Sequence, residues 1–282
     1  MEKNFPHWLS KKINWNNMVE LQKKLREGKV HTICEEARCP NISECFSSKT
    51  ASFLILGNHC TRGCAFCNVS RGKPSKVNGE EILEIGHIVR ELRLTYVVIT
   101  SVTRDDLPDG GAEHFAKTVK HLKNINPSLK VDVLVPDFRG DKEALKKVLE
   151  AEPDVFSHNI ETVRRLTKTA RSINSNYETS LQVIREARDS KRVRFIKSGL
   201  MVGLGEEPSE IKETLLDLKN SGCNVITIGQ YLRPNRNCLP VVRYVEPHQF
   251  EKYEKWAKEM GFEKVLSGPY VRSSYRLKEL FD

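Results

Sequence analysis

No apolar run in this sequence is long enough to cross a bilayer. Its longest, such as "FLILG" and "YVVIT", span a few residues, whereas a membrane helix takes about 20. The N-terminal stretch "MEKNFPHWLSKKINWNN" lacks an apolar segment and a small-residue cleavage site, so no secretory signal is expected. Ser and Arg are too scarce there for a transit peptide, and the chain is expected to be cytoplasmic. Low-complexity segments are missing, as is any break in composition that would mark a second domain. Despite a formal net charge of +9, no dense basic cluster interleaves with aromatics, so no nucleic-acid surface is expected. The basic stretch "RDSKRVRFIK" reads as a solvated helix end running into a strand. A diffuse positive field steers encounter with an acidic partner without specifying which one.

What the sequence does have is eight cysteines in 282 residues. Cytosolic thiols stay reduced, and a chain of this length needs no covalent staples, so a disulfide framework is not expected. Six of them form two triplets. "CEEARCPNISEC" (34–45) has the spacing C-x4-C-x5-C, and "CTRGCAFC" (60–67) has C-x3-C-x2-C. Structural zinc takes four ligands, often as paired C-x-x-C knuckles, and neither triplet offers that pattern. Three thiolates suit a 4Fe–4S cluster whose fourth iron is open to another ligand. His59 adjoins Cys60 and reads as a loop residue. Cys223, where a helix turns into a strand, reads as a buried structural thiol.

From residue 50 onward, nearly continuous apolar runs alternate with amphipathic stretches. Strands are predicted over 51–57, 96–101, 131–136, 155–159, 195–203 and 225–232. Helical patterns follow each, as in "GAEHFAKTVKHLKNI" and "PSEIKETLLDLKNSG". Six such units imply a parallel α/β sheet with right-handed crossovers. The expected fold is a partial (β/α)6 TIM-type barrel over 50–263, with an open doubly wound sheet as the alternative. Residues 1–49, with the first triplet, and 264–282 are expected as N- and C-terminal extensions. Reactive groups belong at the carboxyl ends of the strands, where "CTRGCAFC" falls.

A C-x3-C-x-aromatic-C motif after the first strand of a βα repeat resembles the radical S-adenosylmethionine superfamily. With "HTICEEARCPN", "TSVTRDDLPDGG", "VLVPDFRG", "HNIETV", "KSGLMVGLGE", "TIGQYLRP" and "GPYVRSSY" in order, the chain resembles the lipoyl synthase family over nearly its whole length. The resemblance implies a sulfurtransferase that places two sulfur atoms on C6 and C8 of an octanoyl chain carried on a lysine. It implies two 4Fe–4S clusters and S-adenosylmethionine as cofactors. Cys60, Cys64 and Cys67 would ligate the radical-generating cluster, with Phe66 beside it. Cys34, Cys39 and Cys45 would hold an auxiliary, sulfur-donating cluster, completed by Ser274 of "RSSY". Thr100, Ser101, Asn159, Glu161, Lys197 and Gly203, with Gly205, would line the S-adenosylmethionine site.

The implied partners are octanoylated lipoyl carrier domains, namely 2-oxoacid dehydrogenase E2 subunits and the glycine cleavage H protein, and a low-potential electron donor. No nucleic acid and no membrane are expected. The chemistry fits, because an alkyl C–H bond offers a base no acidic proton and its cleavage must come from a cofactor. Two departures stand out: "NCLPV" puts Cys238 where the family usually has histidine, and Phe46 stands for a usual Trp. Another two-cluster sulfur-inserting enzyme, such as a methylthiotransferase, is the alternative, although it usually carries an added RNA-binding domain.

Overall fold

A computed structural model of the protein describes residues 6–10, 19–28, 30–48, 50–275 and 281. Seven parallel strands follow one another across a curved sheet: β1 (Thr50–Ile55), β2 (Tyr96–Ser101), β3 (Lys130–Leu134), β4 (Val155–Ser157), β5 (Phe195–Val202), β6 (Val225–Gln230) and β7 (Lys264–Gly268). The first six are each followed by a helix: α1 (Glu81–Glu91), α2 (Ala112–Ile125), α3 (Lys142–Leu149), α4 (Tyr177–Ser190), α5 (Pro208–Asn220) and α6 (Pro247–Glu259). Neighbours in space are neighbours in sequence throughout. A doubly wound sheet must reverse its strand order at a switch point, and this one does not. The fold is therefore a partial barrel. Among the described residues no pairing joins β7 to β1, so the barrel stays open.

Two strands lie beyond the expected repeat. His31–Thr32 pairs antiparallel with β1, and β7 adds a parallel partner to β6. The C-terminal extension thus contributes a barrel strand rather than only wrapping the barrel. Its "KVLSG" is half-exposed and carries two large apolar residues, too few for a periodic signal.

The apolar runs are continuous because both faces of each strand are buried. Val97, Ile99, Val133, Phe156, Ile226 and Ile228 face the helices and meet Ile85, Phe115, Leu145, Ile184, Leu215 and Phe250. Each such side chain stabilises the fold by about 1.5–3 kcal/mol. Local signals agree with this packing. Asp141 caps α3 by accepting from the Glu143 and Ala144 amides, and Asn176 caps α4 by accepting from Glu178 N. A capping box of Glu207 and Glu210 opens α5.

The opposite face lines the barrel. Tyr96, Val98, Val155, Phe195 and Val225 form an apolar floor, against which Phe281 packs under Lys130. Above the floor the lining turns polar, with Asp132, Ser157 and Lys197 all at 0% exposure. Among the described residues no helix is long and apolar enough to cross a membrane.

Candidate functional site

The chain leaves β1 through Leu56 and Gly57, both in the left-handed region (φ 67° and 88°). Gly57 meets that demand freely; Leu56 does so at a cost and is held by its neighbours. Its amide donates to the Glu81 carboxylate (2.9 Å), and its carbonyl accepts from Arg104 (3.1 Å). The turn throws "CTRGCAFC" across the strand carboxyl ends. There Thr61 donates N–H and O–H to Thr103 O (3.0 and 2.9 Å), and Ala65 N donates to Ala170 O (2.8 Å).

Arg62, a variable position of the motif, is the loop's main anchor. It is buried, pairs with Asp105 through Nε and Nη2 (2.7 and 2.9 Å), and donates to Asp137 (2.7 Å). Each of the three sulfurs accepts one backbone N–H: Cys60 from Arg62 (3.4 Å), Cys64 from Ser172 (3.3 Å) and Cys67 from Val69 (3.5 Å). Such bonds favour thiolates and tune the potential of any cluster they hold. Burial, reinforced by the other thiols of the triplet, pushes Cys67 up to about 12 and raises Cys64 as well. Thiols so desolvated ionise readily only against a metal. Cys238 lies beside them, its S–H donating to Cys67 O (3.4 Å), while Leu239 N donates to Ala65 O (2.8 Å). It supports the loop from outside the triplet.

The other triplet stands on two short helices, Ile33–Glu36 and Ile42–Ser47, with Thr32 accepting from Glu35 N at the first. Cys34 is buried; that burial, and then the charges of Cys39 and Cys45, drive its thiol far above the ordinary range. Cys34 therefore lies within electrostatic reach of both other thiols. The far end of the chain closes on them. Asn41 donates to Tyr270 O (2.6 Å), Tyr275 Oη donates to Glu44 (2.8 Å), and Arg272 lies within electrostatic reach of Cys39. Ser274, half-buried, sits between Arg272 and Tyr275 in this segment. The expected fourth ligand and the three thiols are thus in one neighbourhood, although more than 220 residues separate them in sequence.

Among the described residues, no group of three or more His, Cys, Asp or Glu side chains is arranged to hold a single metal ion. A four-iron cube asks for something different, since each thiolate binds its own iron. Two all-thiol triplets, with Cys34 buried and the other five thiols partly buried, suit that guest.

Between the triplets the strand ends present the remaining expected residues. Ser101 Oγ is buried without a hydrogen-bond partner, which leaves it available to a ligand. Glu161 has a left-handed backbone (φ 70°), locked by Glu161 N to Gly199 O and Met201 N to Glu161 O; burial raises its carboxyl. Asn159 accepts from Ser273 Oγ (2.9 Å). Phe66 packs in a small apolar cluster with Ala170, Leu204 and Tyr231. Gly203 (φ 103°) has no room for a Cβ, which would fall 2.5 Å from Arg243 O. Gly205 also has φ 103° and lies against Val242.

Two expected residues turn inward instead. Thr100 donates to Leu134 O (2.9 Å), and Lys197 is paired with Asp132 inside the barrel. Three residues that the motifs did not flag belong to the site. Arg62 is one. Arg171 lies beside Cys64 and Glu161 with a buried, unpartnered Nε. Glu206 accepts from the Gly203 and Leu204 amides (2.7 and 2.9 Å) and so shapes the "GLG" turn. Cys223 is buried and donates to Ile196 O and Val225 O, as a structural thiol does.

A family model of the radical SAM superfamily matches residues 54–218. The chain is 52% identical to the lipoyl synthase of Caldicellulosiruptor saccharolyticus, over 99% of this chain and 98% of the relative. It is 47% identical to the lipoyl synthase of Aquifex aeolicus, over 95% and 96%. Among solved structures it resembles the FeFe-hydrogenase maturase HydG from Carboxydothermus hydrogenoformans, with a TM-score of 0.59 and 13% identity over 94% of this chain and 77% of that one. Methylornithine synthase (PylB) superposes with a TM-score of 0.52 and 14% identity, over 80% and 75%. The structural matches speak for the barrel.

Proposed function

The chain belongs to the lipoyl synthase family of radical S-adenosylmethionine enzymes, and we propose that its two cysteine triplets divide that family's sulfur-insertion chemistry between them. Lipoyl synthases carry two 4Fe–4S clusters and use S-adenosylmethionine to put sulfur on a protein-bound octanoyl chain. On our reading, Cys60, Cys64 and Cys67 hold the cluster that binds S-adenosylmethionine. Cys34, Cys39 and Cys45, with Ser274, hold the one that surrenders sulfur. Held there, the first cluster together with S-adenosylmethionine would supply the radical chemistry that an unactivated C–H bond at C6 or C8 requires.

The observation that carries this reading is the docking of "GPYVRSSY" onto the N-terminal triplet through Asn41, Glu44 and Cys39. Serine is an unusual iron ligand, and nothing in a polar tail by itself suggests one. Docking beside the segment that carries three thiols gives the tail a reason to be there.

The protein's own part is geometry and charge. The Arg62–Asp105–Asp137 network fixes the first loop, and the three backbone N–H donors to sulfur set the electronics of what it holds. The Arg171 Nε and Ser101 Oγ are free to receive the carboxylate and polar groups of the S-adenosylmethionine methionyl moiety. Asn159 and Glu161 offer acceptors on the opposite strand end, and Gly203 and Gly205 leave the backbone open to the adenine. The proposed substrates are octanoylated E2 and glycine cleavage H domains, met in the cytoplasm, with reduction by a low-potential donor.

The test is reconstitution. Anaerobically loaded protein should hold about eight irons per chain, two clusters of four. With S-adenosylmethionine, dithionite and an octanoyl-lysine peptide, it should give 5′-deoxyadenosine and a dithiolated product. Loaded protein that holds about four irons and makes only 5′-deoxyadenosine would remove the second cluster from the account.

A further inference from the structure

The Lys197 ammonium lies in the middle of the barrel at 0% exposure. It pairs with Asp132 on the inward face of β3, two strands away across β4. Asp132 is itself held from two more strands, accepting from Ser157 Oγ (2.5 Å) and Tyr96 Oη (3.0 Å). A buried ion pair of this kind is a poor source of stability, because apolar residues of similar volume do as well or better. Its position therefore calls for another explanation.

The third partner supplies one. Lys197 Nζ donates to the carbonyl of Ser273 (2.7 Å), which is 76 residues away in sequence. The same residue is held from its other side, since Ser273 Oγ donates to Asn159 at the end of β4 (2.9 Å). Residue 273 is thus clamped between a core cation and a strand end, and the peptide it forms leads directly to Ser274. Beyond, Tyr275 is tied to Glu44. A lysine stem has four rotatable carbons and aims poorly by itself. Asp132, fixed from three strands, removes that freedom.

We propose that Lys197 is a positioning residue for Ser274: aimed by Asp132, it holds the Ser273 carbonyl and so presents the next residue's hydroxyl to the Cys34, Cys39 and Cys45 triplet. The inference rests on Ser274 being the fourth ligand of that site. It gives the buried pair a role on the opposite triplet from the S-adenosylmethionine side to which its motif pointed.

The test isolates the auxiliary site by replacing Cys60, Cys64 and Cys67 with alanine in the full-length chain. One-electron oxidation with ferricyanide converts a 4Fe–4S cluster into a three-iron cluster and expels one ferrous ion. Electron paramagnetic resonance reads the rate at which the three-iron form appears. Two double variants differ in a single donor. Lys197→Gln with Asp132→Asn keeps an N–H for Ser273; Lys197→Met with Asp132→Asn does not, at similar volume and equal charge. The Gln variant, which keeps a donor but loses the Asp132 carboxylate that aims it, should release iron only moderately faster than the parent. The Met variant should release it about tenfold faster, the factor expected for one lost hydrogen bond of ordinary strength.

Equal rates in the two variants would overturn the proposal, since a merely structural pair affects both alike. Should the Met variant fail to fold, Asp132→Asn alone replaces it. That change leaves the donor and removes its aim, so an intermediate rate supports the inference and a parental rate overturns it. Ser274→Ala is the control for the underlying reading. If it releases iron no faster than the parent, serine ligation fails and the proposal falls with it.

Discussion

The radical-side triplet takes its three thiols from eight consecutive residues, whereas the auxiliary triplet spreads over twelve and leans on the other end of the chain. The first is a loop fixed by ion pairs to the neighbouring strand ends, Arg62 to Asp105 and Asp137, with each sulfur given its own backbone donor. The second stands on helices of four and six residues, and beside the Asn68 bond to Glu36 O it takes support from residues 270–275 through neutral or single-charge hydrogen bonds. The difference suits the two tasks. On the proposed reading, a cluster that binds S-adenosylmethionine and passes it an electron benefits from a rigid, locally complete cradle. One that must give up its own sulfur benefits from a fourth side supplied by a separate segment, whose hydrogen bonds can open without dismantling the thiol-bearing helices.

The largest effect expected follows from separating the triplets. Cys64→Ala should abolish 5′-deoxyadenosine formation. Cys39→Ala should leave S-adenosylmethionine cleavage intact while carbon–sulfur bond formation is lost. Product analysis by mass spectrometry checks both, and cleavage lost in the Cys39 variant would mean that the two sites are not independent. Ser274→Cys sharpens the same contrast. A thiolate grips iron more firmly than a serine oxygen, so the cluster should assemble while sulfur insertion slows or stops.

Next in size is the anchor of the rigid cradle. Arg62→Met leaves the buried Asp137 carboxylate without its cation and Asp105 with Arg139 alone, which costs roughly 3–5 kcal/mol. Denaturant unfolding reads that loss directly. Iron content should fall by about half, with only the radical-side cluster affected. Loss from both sites alike would blur the comparison into a general failure to fold.

A smaller effect is tied to pH. His158, beneath the radical-side loop, bonds to Val135 O and Ser180 Oγ; burial, then the Arg171 cation, lowers its pKa to about 4. An unfolded histidine titrates near 6.5. Above that pH both states are neutral and the residue contributes nothing to the slope. As pH falls from about 6.5 to about 4, the unfolded chain binds a proton that the folded one refuses, so stability declines by about 3 kcal/mol and then levels. His158→Gln should flatten this limb, read by unfolding at fixed pH values. The same slope should persist in a Cys39→Ala chain if it belongs to the radical side.

The smallest effect concerns approach rather than chemistry. With a net charge of +9, association with an acidic carrier domain should slow as salt rises, by roughly tenfold or less across the physiological range. Stopped-flow mixing at several ionic strengths measures it. A rate independent of salt would leave recognition to the octanoyl chain.

By itself the sequence determined both cysteine triplets, six βα units with nearly correct borders, and the placement of "CTRGCAFC" after the first strand. These are local properties: cluster ligands must lie close on the chain when one loop carries them, and a strand buried on both faces needs a continuous apolar run. Thr100 and Lys197 show where that reading stops. A polar residue at a strand end looks the same in sequence whether it faces a ligand or a neighbouring carbonyl. Only the register of β3 to β5 shows Lys197 turned toward Asp132. The tertiary structure alone decided that β7 joins the sheet, that Arg62 is the anchor of its loop, and that residues 270–275 dock beside Asn41 and Glu44, in the segment that carries the N-terminal triplet. Each of these depends on which distant segments come together, and that is set by how the barrel closes its layers, for which no single stretch of residues carries a signal.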